Sequence, residues 1–200
     1  MGKIVYLMGK SSTGKDTIFK ELLKRGTVAL ETIVPYTTRP IRVGERNGVE
    51  YIFTDEAGFQ ELMAQGRIVE ERAYNTFHGL WRYFTVDDGQ IQLARKNYIM
   101  IGTLEAYLKM REYFGAENML PVLIELDDGI RLQRALNREM QQKNPKYEEM
   151  CRRFLADSED FADEKIREAE IPRSFYNDDL EHCLTEITEY IKKHCVYADI

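Results

Sequence analysis

The feature that most constrains the fold is a glycine-containing loop between an apolar run and a helical pattern. Residues 3–8 predict a short buried strand, and residues 15–24 carry apolar side chains on one helical face. Between them, GKSSTGKDT places Gly9, Gly14 and Lys15 at the spacing of a phosphate-binding loop. Glycines let the backbone curl until its amides and the helix N-terminus face phosphate oxygens, while the lysine reaches the terminal phosphates. The stretch therefore predicts a nucleotide site.

All nine residues of this loop are candidate nucleotide ligands: Gly9, Lys10, Ser11, Ser12, Thr13, Gly14, Lys15, Asp16 and Thr17. A hydroxyl that ligands magnesium usually follows the lysine, and Asp16 cannot supply it. A carboxylate is nevertheless a good oxygen ligand for the same ion, and Thr17 offers a hydroxyl one place later. We expect an altered magnesium site with Asp16 as ligand. The alternative, a glycine turn with a chance lysine, is disfavoured by the strand before it and the helix after it.

Strands and helices alternate along the rest of the chain. Apolar runs predict strands at 98–101 and 121–126, and helical patterns cover 56–65, 87–96, 103–113 and 179–193. The run NGVEYIF predicts a hairpin with Asn47 and Gly48 at its tip. A charged helical stretch, 128–170, is broken at Asn144–Pro145 and leads to a short strand, SFYN. This alternation predicts an α/β fold, a mainly parallel sheet with helices on both faces.

Composition limits the partners. The 200 residues are 44% hydrophobic with a net charge of -6, enough for one core and a small lobe, and mild acidity gives no general attraction to nucleic acid or an anionic membrane. Anionic ligands must then meet local clusters of basic side chains. The three cysteines (Cys151, Cys183 and Cys195) have no paired spacing, and no signal peptide or long apolar span lies before or between them. Reduced thiols in the cytoplasm are therefore expected.

A second anion site is predicted by YTTRPIRVGERNGVEY, residues 36–51. It holds Arg39 and Arg42 in a proline-punctuated turn, followed by Tyr51. Two guanidinium groups and a phenol converging on one point suit a phosphate monoester. Judged by spacing alone, exposed loop arginines are the ordinary interpretation of such a pair.

The longer sequence motif around these arginines favours the phosphate site over exposed loop arginines. TTRPxRxGExNGxxY, the loop at 9–17 and the later FYNDDLE closely resemble the guanylate kinase family, and the resemblance extends over nearly the whole chain. It implies one domain with a three-layer P-loop sandwich: a core of about 1–32, 86–127 and 171–200, a small monophosphate-binding lobe of about 33–85, and a helical lid of about 128–170.

The resemblance also implies roles for individual residues. Arg39, Arg42, Tyr51 and Tyr83 match the family's monophosphate ligands, and Thr85 matches a hydroxyl that contacts guanine. Glu70 matches the glutamate that accepts hydrogen bonds from guanine N1 and the exocyclic amine. A carboxylate is an acceptor pair that complements this donor edge and mismatches adenine's. A surface glutamate beside Glu71 is the alternative interpretation of Glu70.

The charged stretch supplies further candidates. Arg134, Arg138 and Arg153 match lid arginines that close over the transferring phosphoryl group, and Asn177 matches a residue near the adenine of ATP. Spacing alone describes these arginines as solvated helix charges. With Lys15 and Arg42, the three lid arginines make up the implied catalytic set.

The sequence departs from the family's pattern in three ways, at four positions. Met100 and Gly102, in YIMIG, replace two acids, Pro35 replaces a phosphate-contacting serine, and Asp16 replaces the usual hydroxyl. One lost acid organises magnesium and the other contacts the guanine amino group. An acid lost from YIMIG and one gained at Asp16 keep the number of carboxylates near magnesium constant, which suggests that the ligand has moved.

The expected reaction is magnesium-dependent transfer of the ATP γ-phosphoryl group to a nucleoside monophosphate, with GMP the favoured acceptor and GDP the product. Three alternatives stay open: a kinase for another acceptor such as dGMP, a protein-interaction module that has lost catalysis, and a nucleotide-sensing regulator. Either a monomer or a homodimer is compatible with the sequence.

Overall fold

The glycine-containing loop lies between a buried strand and a helix, as the sequence predicts. In the computed structural model, which describes residues 1–42, 44–76 and 79–195, strand β1 covers Ile4–Met8 and helix α1 covers Lys15–Arg25. Helix α1 ends at Gly26, whose φ of 57° permits a left-handed turn that most residues avoid.

The remaining elements follow in chain order. The further strands are β2 (Leu30–Thr32), β3 (Tyr36–Thr37), β4 (Ile52–Phe53), β5 (Ile68–Thr76), β6 (Gly79–Val86), β7 (Asn97–Ile101), β8 (Met119–Glu125) and β9 (Ser174–Tyr176). The further helices are α2 (Glu56–Ala64), α3 (Leu104–Phe114), α4 (Asp128–Met140), α5 (Tyr147–Asp160), α6 (Asp163–Glu168) and α7 (Leu180–His194). A short 3-10 helix, Ala116–Asn118, precedes β8.

The larger sheet has five parallel strands in the order β2-β7-β1-β8-β9. Strand β1 is central, and its side chains alternate between two cores. Ile4, Tyr6 and Met8 pack with apolar residues of α3, whereas Val5 and Leu7 pack with those of α1 and α7. Helices on both faces of a parallel sheet confirm the predicted α/β class.

A second sheet, in the order β4-β3-β6-β5, is built around a hairpin of β5 and β6. Phe59 of α2 packs edge-on against Phe84 of β6 at 5.0 Å between ring centroids, and Val86 completes this small core. The sequence analysis did not predict the β5–β6 hairpin, although it carries three candidate site residues. This hairpin therefore places those residues on one rigid element.

Two local predictions are wrong. The tip at Asn47–Gly48 does not form a hairpin, because β4 pairs in parallel with β3 and Gly48 N–H bonds to Tyr51 O within a turn. The stretch 87–96 forms a loop with one turn instead of a helix. There the side-chain amide of Gln90 bonds to Val34 N and O at 2.8 and 3.3 Å, a competitor for helical hydrogen bonding.

The charged stretch folds as α4, α5 and α6, and α5 is tied to the glycine-containing loop through buried charge. Arg131 of α4 is fully buried; its guanidinium bonds to Asp157 of α5 at 3.0 Å and to Ser11 O at 3.0 Å. Asp128 also pairs with Arg131. Asp157 in turn accepts from Ser11 N–H at 2.8 Å and Ser11 Oγ at 3.2 Å. The two helices and the loop thus share one network.

None of the helices in the described part of the chain combines the length and the apolar character needed to cross a bilayer.

The buried pair predicts a measurable stability effect. Asp157→Ala should lower the free energy of unfolding by about 3 kcal/mol, because it leaves the Arg131 charge buried with only a partly exposed carboxylate beside it. Urea denaturation measures the loss. Glu159→Ala, at an exposed position of the same helix, is the control and should change stability by less than about 0.5 kcal/mol. Equal effects of the two substitutions would contradict this interpretation of the pair.

Candidate active site

The glycines of the loop at 9–14 are required by close backbone approaches. A Cβ on Gly9 would lie 2.3 Å from Ile124 O of β8, and one on Gly14 would lie 2.3 Å from Asn177 Nδ2. Both residues have positive φ, 152° and 95° respectively. Ser12 also has a positive φ, 66°, which is uncommon for a residue with a side chain. The loop therefore follows the curled path that the sequence predicts, directly before the N-terminus of α1.

Lys15 lies under this curl in the first turn of α1. Its Nζ is 3.4 Å from Lys10 O, an oxygen that also accepts from Thr13 Oγ1 at 2.9 Å. Burial lowers the pKa of Lys15, while the carboxylates of Asp16 and Asp157 act in the opposite direction. A half-buried cation at a helix N-terminus is an arrangement suited to an anion, which would add the counter-charge that burial demands.

Asn177 joins the loop to the end of β9. Its Nδ2 donates to Thr13 O at 2.6 Å, and its backbone N–H donates to Glu125 O at 2.9 Å. Arg134 of α4 approaches the same point, with Nη2 3.4 Å from Asn177 O. The structure therefore places Asn177 and Arg134 beside the loop at 9–14.

The other two lid arginines differ in position. Arg153 of α5 is exposed, and its charge lowers the pKa of Lys15, behind burial as the main cause. Arg138, in the last turn of α4, is exposed and has no hydrogen bond or ion pair to any residue in the described ranges. Arg134 therefore lies beside the loop and the charge of Arg153 reaches Lys15, whereas Arg138 lies further along α4.

The second cluster of basic and phenolic groups is centred on Arg39. This side chain is 3% exposed, forms two bonds to the Glu45 carboxylate at 2.9 and 3.0 Å, and donates to Pro40 O at 2.7 Å. Its guanidinium lies 5.5 Å from the ring centroid of Tyr51, and the rings of Tyr51 and Tyr83 are 5.6 Å apart. Three of the four expected monophosphate ligands thus converge.

Arg42, the fourth expected ligand, is exposed. Its backbone N–H donates to Glu45 Oε2 at 2.8 Å, so the same carboxylate holds both arginines of the motif. The Arg39 guanidinium keeps the pKa of Glu45 below its usual value. Burial lowers the pKa of Arg39, but the bonds to Glu45 and the interaction with Tyr83 outweigh it and the net direction is upward.

Glu70 and Thr85 face each other across the β5–β6 hairpin. They are paired in the ladder, and Thr85 Oγ1 donates to Glu70 Oε1 at 2.8 Å. Both side chains are buried. Arg72, two residues along β5, approaches the same carboxylate with Nε at 3.1 Å from Oε2 and Nη2 at 3.3 Å from Oε1. The side chains of the two residues expected to contact a guanine base are therefore adjacent and buried.

The lost acid at Gly102 has a steric explanation. A Cβ on Gly102 would lie 1.8 Å from the Tyr6 hydroxyl, which donates to Thr103 O at 3.2 Å. Tyr6 is fully buried, and burial raises its pKa well above the usual range. Met100, at the other lost acid, is buried opposite Tyr6 in the β1–β7 ladder. A tyrosine in β1 thus excludes any side chain at position 102.

Asp16 and Thr17 are exposed in the first turn of α1, beside Lys15. No group of three or more histidine, cysteine, aspartate or glutamate side chains in the described ranges could hold a metal ion alone. Magnesium at kinase sites usually binds one or two carboxylates together with substrate phosphates and water. The oxygen donors of Asp16 and Thr17 fit that kind of site.

Buried polar atoms without a partner mark both clusters. Among the described residues, Ser12 Oγ, Asn177 Oδ1 and Arg39 Nε are buried and have no hydrogen-bond partner. Native proteins leave few such atoms, and each one calls for a reason. Two of them lie at the loop and one lies in the Arg39 cluster, so both clusters have unused hydrogen-bonding capacity.

The sequence analysis missed five residues that shape these clusters: Tyr6, Glu45, Arg72, Arg131 and Asp157. Glu45 had a signal, because it lies in the same turn motif as the two arginines. Arg131 and Asp157 had none, since charged residues in an acidic and basic helical stretch look solvated in sequence. Tyr6 and Arg72 occupy strand positions whose neighbours only the sheet pairing defines.

Known proteins support this picture. The family model described as guanylate kinase matches residues 1–81. The chain is 42% identical over 73 residues to a guanylate kinase of Nostoc sp., 32% over 120 residues to that of Chlorobium chlorochromatii, and 29% over 160 residues to that of Chlorobaculum tepidum. These alignments cover 36%, 60% and 79% of this chain and 36%, 61% and 70% of the relatives, so the chain spans less than two thirds of the first two.

The fold is shared as well. The crystal structure of guanylate kinase from Anaplasma phagocytophilum superposes with a TM-score of 0.64, covering 98% of this chain and 88% of that one, at 20% identity. That likeness concerns the fold alone. The chain is therefore similar in sequence to guanylate kinases from the first strand into the β5–β6 hairpin, two of the relatives are similar beyond it, and the architecture is that of a solved guanylate kinase.

Proposed function

We propose that this protein transfers the γ-phosphoryl group of ATP to the phosphate of a nucleoside monophosphate, with GMP as the favoured acceptor. The observation that carries the proposal is that, within the described ranges, two clusters hold buried polar atoms without a hydrogen-bond partner, one at Ser12 and Asn177 and one at Arg39. One site has the geometry of a triphosphate loop. The other joins a buried guanidinium to two phenol rings, which suits a monophosphate.

The residues supply position and positive charge. The acceptor phosphate is already nucleophilic, so the reaction needs alignment of two polyanions and neutralisation of charge on the transferring oxygens more than it needs a base. Lys15 and the amides of the loop hold the donor phosphates, and Arg39, Arg42, Tyr51 and Tyr83 hold the acceptor. Arg134, Arg138 and Arg153 add charge where donor and acceptor meet.

We further propose that residues 33–85 and 128–170 close over the core at 1–32, 86–127 and 171–200. Closure would exclude water, which otherwise competes with the acceptor for the phosphoryl group. Asp157 of α5 accepts hydrogen bonds from Ser11 of the loop. This contact couples the charged helices to the proposed nucleotide site and so supports closure of residues 128–170.

Asp16, with Thr17, would hold magnesium. The ion, when bound, neutralises phosphate charge and orients the donor phosphates. The carboxylate of Asp16 also raises the pKa of Lys15, against the main effect of burial, and so favours the charged amine. We also propose a cytoplasmic location, since Cys151, Cys183 and Cys195 are free thiols. No role in nucleic-acid or membrane binding is proposed, and a monomer or homodimer stays a prediction.

The reaction is tested by ADP release with ATP, magnesium and each nucleoside monophosphate in turn. GMP should stimulate release strongly. Lys15→Ala should reduce the rate about 100-fold, because one charge that stabilises the transition state is lost. Lys20→Ala, an exposed lysine later in α1, should leave the rate unchanged. ATP binding without turnover on any monophosphate would instead favour a binding module.

Glu70→Gln tests the base contact. The substitution removes the negative charge and replaces one carboxylate oxygen with an amide donor, so kcat/KM for GMP should fall about tenfold or more, with little change in KM for ATP. Glu71→Gln is the matched control. Glu71 follows Glu70 in β5, lies on the opposite face of the strand and pairs with Arg82. An unchanged kcat/KM for GMP in the Glu70 variant would exclude Glu70 from base recognition.

Asp16→Ser tests the relocated metal ligand. Replacing the carboxylate should lower turnover and raise the magnesium concentration needed for half-maximal rate, as measured by titrating magnesium at saturating ATP and GMP. Glu21→Gln, further along α1, controls for loss of a nearby negative charge. An unchanged or faster rate for Asp16→Ser would refute the relocation.

A further inference from the structure

Arg72 is a cation beside Glu70 that the proposed reaction does not use. Its side chain is 16% exposed, and it faces a Glu70 carboxylate that is fully buried. The charge of Arg72 also acts on neighbours on several sides. It lowers the pKa of the Tyr6, Tyr51 and Tyr74 hydroxyls, in each case against a larger rise caused by burial. Arg72 is therefore bonded to Glu70, and its charge also reaches the Tyr51 hydroxyl.

The bonds to Arg72 restrict what Glu70 can accept. An ionised carboxylate has about four acceptor positions. The Glu70 carboxylate already receives three hydrogen bonds, from Thr85 Oγ1, Arg72 Nε and Arg72 Nη2. Two of them use Oε1, so about one position is left, on Oε2. A base that presents two adjacent N–H donors, as guanine does with N1 and its 2-amino group, cannot place both on this carboxylate.

The guanidinium of Arg72 changes the pattern of hydrogen-bond donors and acceptors around Glu70. Within the described residues, the hydrogen bonds of Arg72 to Glu70 use Nε and Nη2, and no bond uses Nη1. A free acceptor on Oε2 beside a cationic donor complements an N–H next to a carbonyl. The 6-oxopurines share that lactam edge, N1–H beside O6, whether or not they carry a 2-amino group.

Position 102 provides no second acceptor for the 2-amino group. Gly102 has no side chain, and the Tyr6 hydroxyl that fills its space is fully buried and donates to Thr103 O. Both the crowding of Glu70 and the glycine at 102 therefore remove contacts that would distinguish guanine from hypoxanthine.

We propose that Arg72 is a specificity-determining residue and that the acceptor class is 6-oxopurine nucleoside monophosphates, with IMP accepted nearly as well as GMP. This inference rests on the proposed function for the location of the acceptor site. Arg72 contacts O6 and occupies part of Glu70, so that the pocket recognises the lactam edge and ignores the 2-amino group.

Calorimetric titration tests the inference independently of turnover. The dissociation constants of GMP and IMP are measured for the full chain and for Arg72→Ala. The unsubstituted protein should bind the two within about tenfold of each other, because no acceptor is left for the extra amine. Removing Arg72 opens the second acceptor to the 2-amino group and removes the donor to O6. The preference for GMP over IMP should then rise by about tenfold.

Arg82→Ala is the matched control. Arg82 is 17% exposed, lies in the partner strand β6 and pairs with Glu56 and Glu71, on the other side of the hairpin. Its loss should leave the ratio of the two dissociation constants unchanged. Arg72→Lys is the second variant, used if the alanine variant does not fold. A lysine keeps a cation beside buried Glu70 but loses the two-pronged contact, so the preference for GMP should rise here too.

The outcomes separate the two proposals. A rise in GMP preference of about fivefold or more with either Arg72 variant, and none with Arg82→Ala, supports the inference even where no turnover is found. A smaller rise overturns it, as does an equal change in the control or a preference above about 100-fold in the unsubstituted protein. Binding of both nucleotides without ADP release overturns the kinase function alone, and no binding of either overturns both.

Discussion

A guanidinium removed from water must keep an acceptor beside it, because burying an unpaired charge is far more costly than burying an apolar side chain. Three arginines of this protein show that constraint. Arg39 is held by Glu45, Arg72 by Glu70 and Arg131 by Asp157. The cations are therefore fixed in place by carboxylates of the protein. Their orientation therefore does not depend on a ligand.

The parallel sheet brings distant parts of the sequence together at one edge. Loops that follow parallel strands emerge at the same edge, so the loop after β1, position 102 after β7 and Asn177 after β9 are neighbours although they are distant in sequence. The β5–β6 hairpin brings together another pair of candidate residues. Glu70 and Thr85 face each other there because the ladder is antiparallel, and the register that pairs them also directs Glu71 to the opposite face.

Local patterns were sufficient for much of the fold and of the nucleotide loop. Apolar runs defined β1, β7 and β8, and the glycines at 9 and 14 were assigned correctly to a curled loop because their spacing reflects backbone geometry. Contacts between distant segments were not accessible in the same way. Nothing near Arg131 in sequence indicates burial beneath α5, and nothing near Tyr6 indicates that its hydroxyl fills the space at position 102. The helix expected at 87–96 failed for a related reason, since the competing partner of Gln90 lies 56 residues away.

Asn177 illustrates how closely distant parts of this chain depend on one another. Its amide lies so near Gly14 that a single added carbon would collide with it, and it also supports the carbonyl of Thr13. The curvature of the loop at 9–14 is thus supported by the turn between β9 and α7. A shift of that turn by less than the diameter of one atom would be transmitted to the loop, so the shape of the nucleotide loop is a property of both halves of the sequence.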